Sequence, residues 1–309
     1  MRSFIDAASL RQTNGWQTYS GFSSALIAVM LFSLTVPMTQ LALSVFPAEL
    51  IALFRSVGAG GCSLIMVLSL GWRLPNKKEL TGLMLGGAAV TLVFPYTLSL
   101  ALGKWSASNM GVVLAAVPLI TALAGSLFFN EKHPKMFWLS VAFGAAVLML
   151  FAFSQASGAF HFSVFVMLAA AGIGYGFGGH VAKTLGGWQT ICWMCVIYLP
   201  VSALGLSIFV VQDSFRWDVS WSMESILAML YLALMSQWLG FHFWYGAMAK
   251  VGIGRAGQVQ LLQPFFTLLF CAPLLGLALE ANHFFYAGVI SGAVVLALKS
   301  KARPLPQGG

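Results

Sequence analysis

Arg55 has the most demanding chemistry in this chain. It lies in Phe54-Arg55-Ser56, inside a long apolar run with no Asp or Glu at its middle; Glu49 is six residues away and on a different helical face. A guanidinium offers a rigid fork of donors that fits a carboxylate or phosphate. The same fork can instead be satisfied by backbone carbonyls, or the side chain can snorkel to the nearer surface. A second cluster is Gln237, Trp238, His242 and Tyr245. Gln237 and Tyr245 share a helical face and His242 lies off it. Polar tips among aromatic rings can line a cavity for an amphiphilic solute or bond neighbouring helices to each other. Gln260 and Gln263 stand one turn apart beside Pro264, whose ring frees a backbone carbonyl. Pro118 sets a similar break downstream of Asn109. Tyr96, which follows Pro95, and Tyr175 and His180, in a glycine-rich run, complete the candidate substrate-binding residues. Pro118 and Pro264 are the candidate hinges.

Other patterns carry no chemistry. Gly174 to Gly179 spells GxGxxG, but no strand precedes it, so it is not a dinucleotide site. Small residues there let helices approach closely. Cys192 and Cys195 form a CxxC without a histidine or second cysteine pair, and all four cysteines fall in apolar runs. There is no HExxH, no well-placed GxSxG, no intramembrane carboxylate pair and no nucleotide-binding loop. No catalytic residue, metal or cofactor is therefore expected. An enzyme and an ATP-driven pump are both disfavoured, and no sensor domain points to a receptor.

The elements that position these residues follow from composition. Apolar residues make up 59% of the 309 and charged residues 8%, with mean hydropathy +0.87. Soluble domains carry about 25% charged residues. Lipid is the solvent that suits such a chain, and in lipid only helices or closed barrels satisfy the backbone. The apolar runs are far longer than the roughly ten residues of a barrel strand. A ruler of about 20 residues per crossing gives ten segments, near 20–44, 47–70, 80–102, 107–129, 135–154, 160–183, 187–210, 222–249, 255–276 and 281–298. The expected fold is an all-α integral membrane protein of ten transmembrane helices. Residues 1–19 read as a polar cytoplasmic segment rather than a signal peptide, and 299–309 as a cytoplasmic tail.

Charge gives those crossings a direction. With the N-terminus in the cytoplasm, all 16 Lys and Arg residues fall on the inner side except Lys104 and Arg216 outside and Arg55 within the membrane. This is the positive-inside pattern, and it accounts for the net charge of +8 without nucleic acid. It implies an even number of crossings and both termini inside; the expected location is a bacterial cytoplasmic membrane.

Laying Pro118 on Pro264 also lays Ala101 on Ala247, Lys104 on Lys250, Gly111 on Gly257, Val113 on Val259, Thr121 on Thr267 and Leu123 on Leu269, without a gap from Tyr96 to Glu131. The third and fourth segments thus match the eighth and ninth. The repeat unit is five helices, 20–155 and 156–298, and an odd unit enters the membrane inverted. Inverted halves around a midplane site are a common design of secondary transporters.

The stretch from Ser106 through Asn109, Gly111 and Pro118 to Asn130-Glu131 resembles the fourth helix of EamA-type members of the drug/metabolite transporter superfamily. The stretch from Gln258 to Pro264 resembles their ninth helix, and Arg55 fits the same pattern. One position departs, Gly276-Leu277, where the family often has Gly-Glu. The resemblance spans the chain and implies ten helices, a central cavity between the repeats and carriage of small metabolites, frequently amino acids and often outward. The expected partners are a small-molecule substrate and the bilayer. No obligatory protein partner is evident, and oligomerisation stays open. Uptake or exchange of a nucleoside, vitamin or other metabolite is the alternative within the transporter class.

Overall fold

The computed structural model describes residues 2–129, 134–155, 162–212, 221–278 and 280–299. Arg216, Asn130, Glu131 and the tail beyond 299 lie outside them. Every regular element among the described residues is helical. In chain order they are α1 (Thr18–Leu43), α2 (Ala48–Ser69), α3 (Lys77–Leu102), α4 (Ala107–Phe129) and α5 (Lys135–Gln155). Then come the arms α6 (162–185) and α7 (187–211) of one long helix, α8 (Met223–Val251), α9 (Ile253–Leu275) and α10 (Ala281–Lys299). The helix that contains α1 begins at Arg2, inside the segment expected to precede the membrane.

Seven helices among the described residues are long and apolar enough to cross a membrane; one is Phe162–Val211, while Lys135–Phe151 and Ala281–Leu296 are shorter apolar stretches. Phe162–Val211 has 50 residues. Straight, it would run about 75 Å, more than twice the hydrocarbon thickness. It reverses instead at Gly186, where φ is +78° and ψ 171°, a left-handed φ that glycine adopts without steric cost. The reversal can be read at Gly86. A Cβ there would lie 2.7 Å from Met194 and 3.3 Å from the Gly178 nitrogen. These two residues, on opposite arms, would stand about 24 Å apart in a straight helix.

Prolines set the interruptions. α1 turns at Leu34, three residues before Pro37. α4 turns at Ala115–Ala116 before Pro118, and α9 at Leu261–Leu262 before Pro264. In each case the proline lacks the N–H that would bond four residues back, and its ring clashes with that carbonyl. The turns close with shorter bonds, Ala115 N to Val112 O at 3.1 Å and Leu262 N to Val259 O at 3.1 Å. α3 widens into a π-helix at Ala88–Val93, just before Pro95. α8 does the same at Tyr231–Gly240 without a proline.

The shift that lays Pro118 on Pro264 also superposes element boundaries. Ala107–Leu114 and Val117–Phe129 fall on Ile253–Gln260 and Gln263–Leu275, and the start of α5 falls on that of α10. The α3 π-helix falls within that of α8. α4 and α9 pack against each other in opposite directions, Gly111 against Thr267 and Gly257 against Pro118. The α6–α7 hairpin lies against α2, α3, α4 and α8; α1 packs on α8 and α9; α5 pairs with α10. Close approach, rather than water exclusion, holds such helices in lipid. The glycine run in α6 provides it: a Cβ on Gly178 would sit 2.3 Å from the Tyr245 ring.

Candidate functional site

The helix interruptions meet around Arg55, which is 2% exposed. Its Nε donates to Gln237 Oε1 at 2.9 Å and its Nη2 to Ser236 Oγ at 3.0 Å. Ser236 Oγ in turn shares a 2.8 Å hydrogen bond with Thr35 Oγ1, one residue past the α1 turn. Consecutive side chains of a regular helix diverge by about 100°. Ser236 and Gln237 both reach the guanidinium from the π-helical part of α8. The adjacent Ser56 hydroxyl donates to the Thr91 carbonyl, the carbonyl that Pro95 leaves without its helical partner. Ser33, just before the α1 turn, donates to Val29 O and to Gln263 O, at 2.7 and 3.3 Å. Gln260 Nε2 reaches Gln263 Oε1 at 3.3 Å. These separate hydrogen bonds tie irregular turns of α1, α3, α8 and α9 together around α2.

Among the described residues Arg55 forms no ion pair. Its partners are neutral, so it places an uncompensated positive charge at the centre. Several buried polar atoms around it lack partners: Gln237 Nε2, Gln260 Oε1 and Trp244 Nε1. Each such group costs about 1–3 kcal/mol until something bonds it. Aromatic rings form the wall. Tyr175 lies 5.4 Å from Trp244, 5.8 Å from Phe241 and 6.3 Å from Phe32, centroid to centroid. The cavity beside Arg55 is about 10 Å³, and a neighbouring one, between Pro118, Trp244, Gly257 and Gln260, is about 30 Å³. Such spaces hold roughly one or two waters. Little open space therefore remains beside Arg55 in this conformation.

Of the residues singled out from sequence, the structure gathers Arg55, Tyr175, Gln237, Gln260 and Gln263 at this centre. Trp244 is also here, and Tyr245 is fully buried beside it, its hydroxyl donating to Gly174 O at 3.0 Å. Pro118 borders the second cavity and Pro264 is buried in α9. The other residues lie elsewhere. Tyr96 is 38% exposed, its hydroxyl 3.5 Å from Glu49. Asn109 bonds His283 at 2.9 Å, joining α4 to α10. His180 is exposed and stacks on Phe129. His242 stacks on Trp188 at 3.7 Å, and Trp238 packs on the same ring.

Thr35, Ser33 and Ser236 are central, and sequence reasoning missed them. Pro37 was the available signal, because it marks a break in α1 by the rule that identified Pro118 and Pro264. Nothing distinguished Ser236 beyond its place next to Gln237.

Residues 19–153 match the EamA-like transporter family. The chain is 35% identical over 268 residues to the uncharacterized transporter YdeK of Bacillus subtilis (strain 168), covering 86% of this chain and 90% of that protein. It is 23% identical over 286 residues to the uncharacterized inner membrane transporter YedA of Escherichia coli (strain K12), covering 91% of each. Its fold is similar to a solved structure described only as the crystal structure of a protein, with TM-score 0.59 at 19% identity, over 93% of this chain and 98% of that one.

Proposed function

This chain belongs to the EamA-like transporter family of the drug/metabolite transporter superfamily and is an integral membrane transporter; on that premise we propose that it exports an amino acid or a related small amphiphilic compound by alternating access. The buried, unpaired charge of Arg55 carries this reading. A substrate carboxylate is the natural counter-ion for a guanidinium with only neutral partners. Gln237 and Gln260 offer a free donor and a free acceptor to the rest of the solute. The aromatic wall suits an apolar side chain or, face-on, an ammonium group.

The moving parts are two inverted five-helix halves, 20–155 and 156–298, crossing ten times in all with both termini in the cytoplasm. The coincidence of helix boundaries under the Pro118–Pro264 shift supports this division. α4 and α9 are the elements that bend, because Pro118 and Pro264 cannot donate the i→i−4 bond to the Leu114 and Gln260 carbonyls. A bacterial inner membrane is the proposed location, in keeping with the inner membrane transporter of Escherichia coli that it resembles.

The test is flux. Purified protein in liposomes should carry labelled amino acids down a gradient, and Arg55→Gln should abolish that flux while helicity and melting temperature stay close to the parent's. Equal loss of folding and flux would make Arg55 a structural residue. Absence of flux for amino acids, amines and nucleosides alike would remove the transport reading of this site.

A further inference from the structure

Two of the larger cavities away from the centre form a pair. One, of about 460 Å³, is bounded by Glu49, Val93, Tyr96, Thr97 and Val166 on α2, α3 and α6. The other, of about 390 Å³, is bounded by Ser24, Trp188, Gln189, His242, Phe243 and Lys250 on α1, α7 and α8, with Trp72 at its edge. The Pro118–Pro264 shift lays Tyr96 on His242 and Thr97 on Phe243, so the two cavities occupy matching places in the two halves. Their chemistry is opposite. The first carries the Glu49 carboxylate. The second has no acid among its lining residues, and it holds the Lys250 ammonium and a His242 Nδ1 without a hydrogen-bond partner.

The second cavity also has the makeup of a membrane–water boundary. Lys250 is exposed in the last turn of α8. Trp188 and Trp72 are partly buried and supply amphipathic rings of the kind that sit at headgroup level. Gln189 and Ser24 add neutral hydrogen-bonding groups, and Leu185 and Phe243 an apolar floor. The volume falls within the range of small-molecule sites, about 300–1,000 Å³, far more than an ordered water needs. Basic pockets between helices at this level suit anionic headgroups.

We infer that this cavity binds the headgroup of an anionic phospholipid. The phosphate meets Lys250, Gln189 donates to one of its remaining oxygens, and the acyl chains leave along the apolar outer surface of the helices. Membrane insertion alone is needed for this, not the substrate reading of the Arg55 site.

The experiment uses the full chain in detergent, titrated with phosphatidylglycerol or phosphatidylcholine of the same acyl length, with bound lipid counted by native mass spectrometry. Phosphatidylglycerol should be retained preferentially. Lys250→Gln should weaken it about fivefold, the loss of one basic contact, and leave phosphatidylcholine unchanged. Lys250→Arg should restore the preference. Lys104→Gln, which removes the matching lysine of the other half outside either cavity, should change nothing. Equal retention of the two lipids by the parent chain, or an unaltered preference in Lys250→Gln, overturns the inference. So does displacement of phosphatidylglycerol by an equal concentration of glycerol phosphate, which would mark a soluble-anion site. Because lipid retention is read without transport, failure of the proposed export leaves this test intact.

Discussion

Gln237→Glu separates the two meanings that Arg55 can have. The substitution is nearly isosteric and puts a carboxylate oxygen where Gln237 Oε1 now sits, 2.9 Å from Arg55 Nε. Unit charges about 4 Å apart at an effective dielectric near 20 attract by about 4 kcal/mol. Burying the new carboxylate consumes much of that gain, so the melting temperature should stay level or rise. A solute carboxylate must then displace an internal one. Its affinity should fall by about 2–4 kcal/mol, roughly 30- to 1,000-fold. The assay is counterflow of labelled amino acids in proteoliposomes, beside melting followed by intrinsic fluorescence. Gln237→Leu is the companion variant. It strands Arg55 Nε in the interior and should cost about 1.5–3 kcal/mol, the value of a hydrogen bond to a charged group, with a lower melting temperature. Parent-like affinity for a carboxylate-bearing solute in Gln237→Glu would refute the counter-ion argument. Parent-like melting in Gln237→Leu would refute the hydrogen-bond argument beneath it.

The remaining predictions concern the helix breaks and the packing around the hairpin. Pro118→Ala and Pro264→Ala return an N–H to the Leu114 and Gln260 carbonyls; both should melt higher and transport more slowly, and a variant that melts higher at full flux would remove the hinge role. Gly187→Ala places a Cβ 2.4 Å from the His242 carbonyl and 2.7 Å from the Gly246 nitrogen. Both atoms belong to the α8 backbone and cannot yield, so the loss should reach about 3 kcal/mol or more, read as a fall in the denaturation midpoint. Gly246→Ala, whose Cβ meets nothing within 4 Å, should instead be neutral or stabilising by about 0.5–1 kcal/mol.

Much of the helix layout was legible in the residues themselves. The run expected at 107–129 is the helix Ala107–Phe129, and the runs expected at 160–183 and 187–210 are the two arms around Gly186. Such limits are local: a stretch must be apolar enough for lipid, and polar or glycine residues must end it. The breaks were legible too, because proline acts on the carbonyl four residues before it whatever surrounds it. Pro37 obeys the same rule, and α1 turns at Leu34 just before it. The π-helix of α8 had no such signal, and with it went the importance of Ser236.

The sequence alone determined that the chain lives in lipid, where most of its long apolar helices lie, and that Arg55 needs a reason to be buried. Tertiary structure alone decided which polar groups answer it. Ser236 and Gln237 are 181 and 182 residues from Arg55 along the chain, and Tyr96, His180 and His242 were equally eligible until packing set them at the periphery. The physical reason is the solvent. Lipid tails and a protein interior are alike apolar, so the helices are apolar on every side, and no periodic pattern marks which face turns inward. A polar residue on such a helix announces that it must be satisfied; only the packed neighbours say by what.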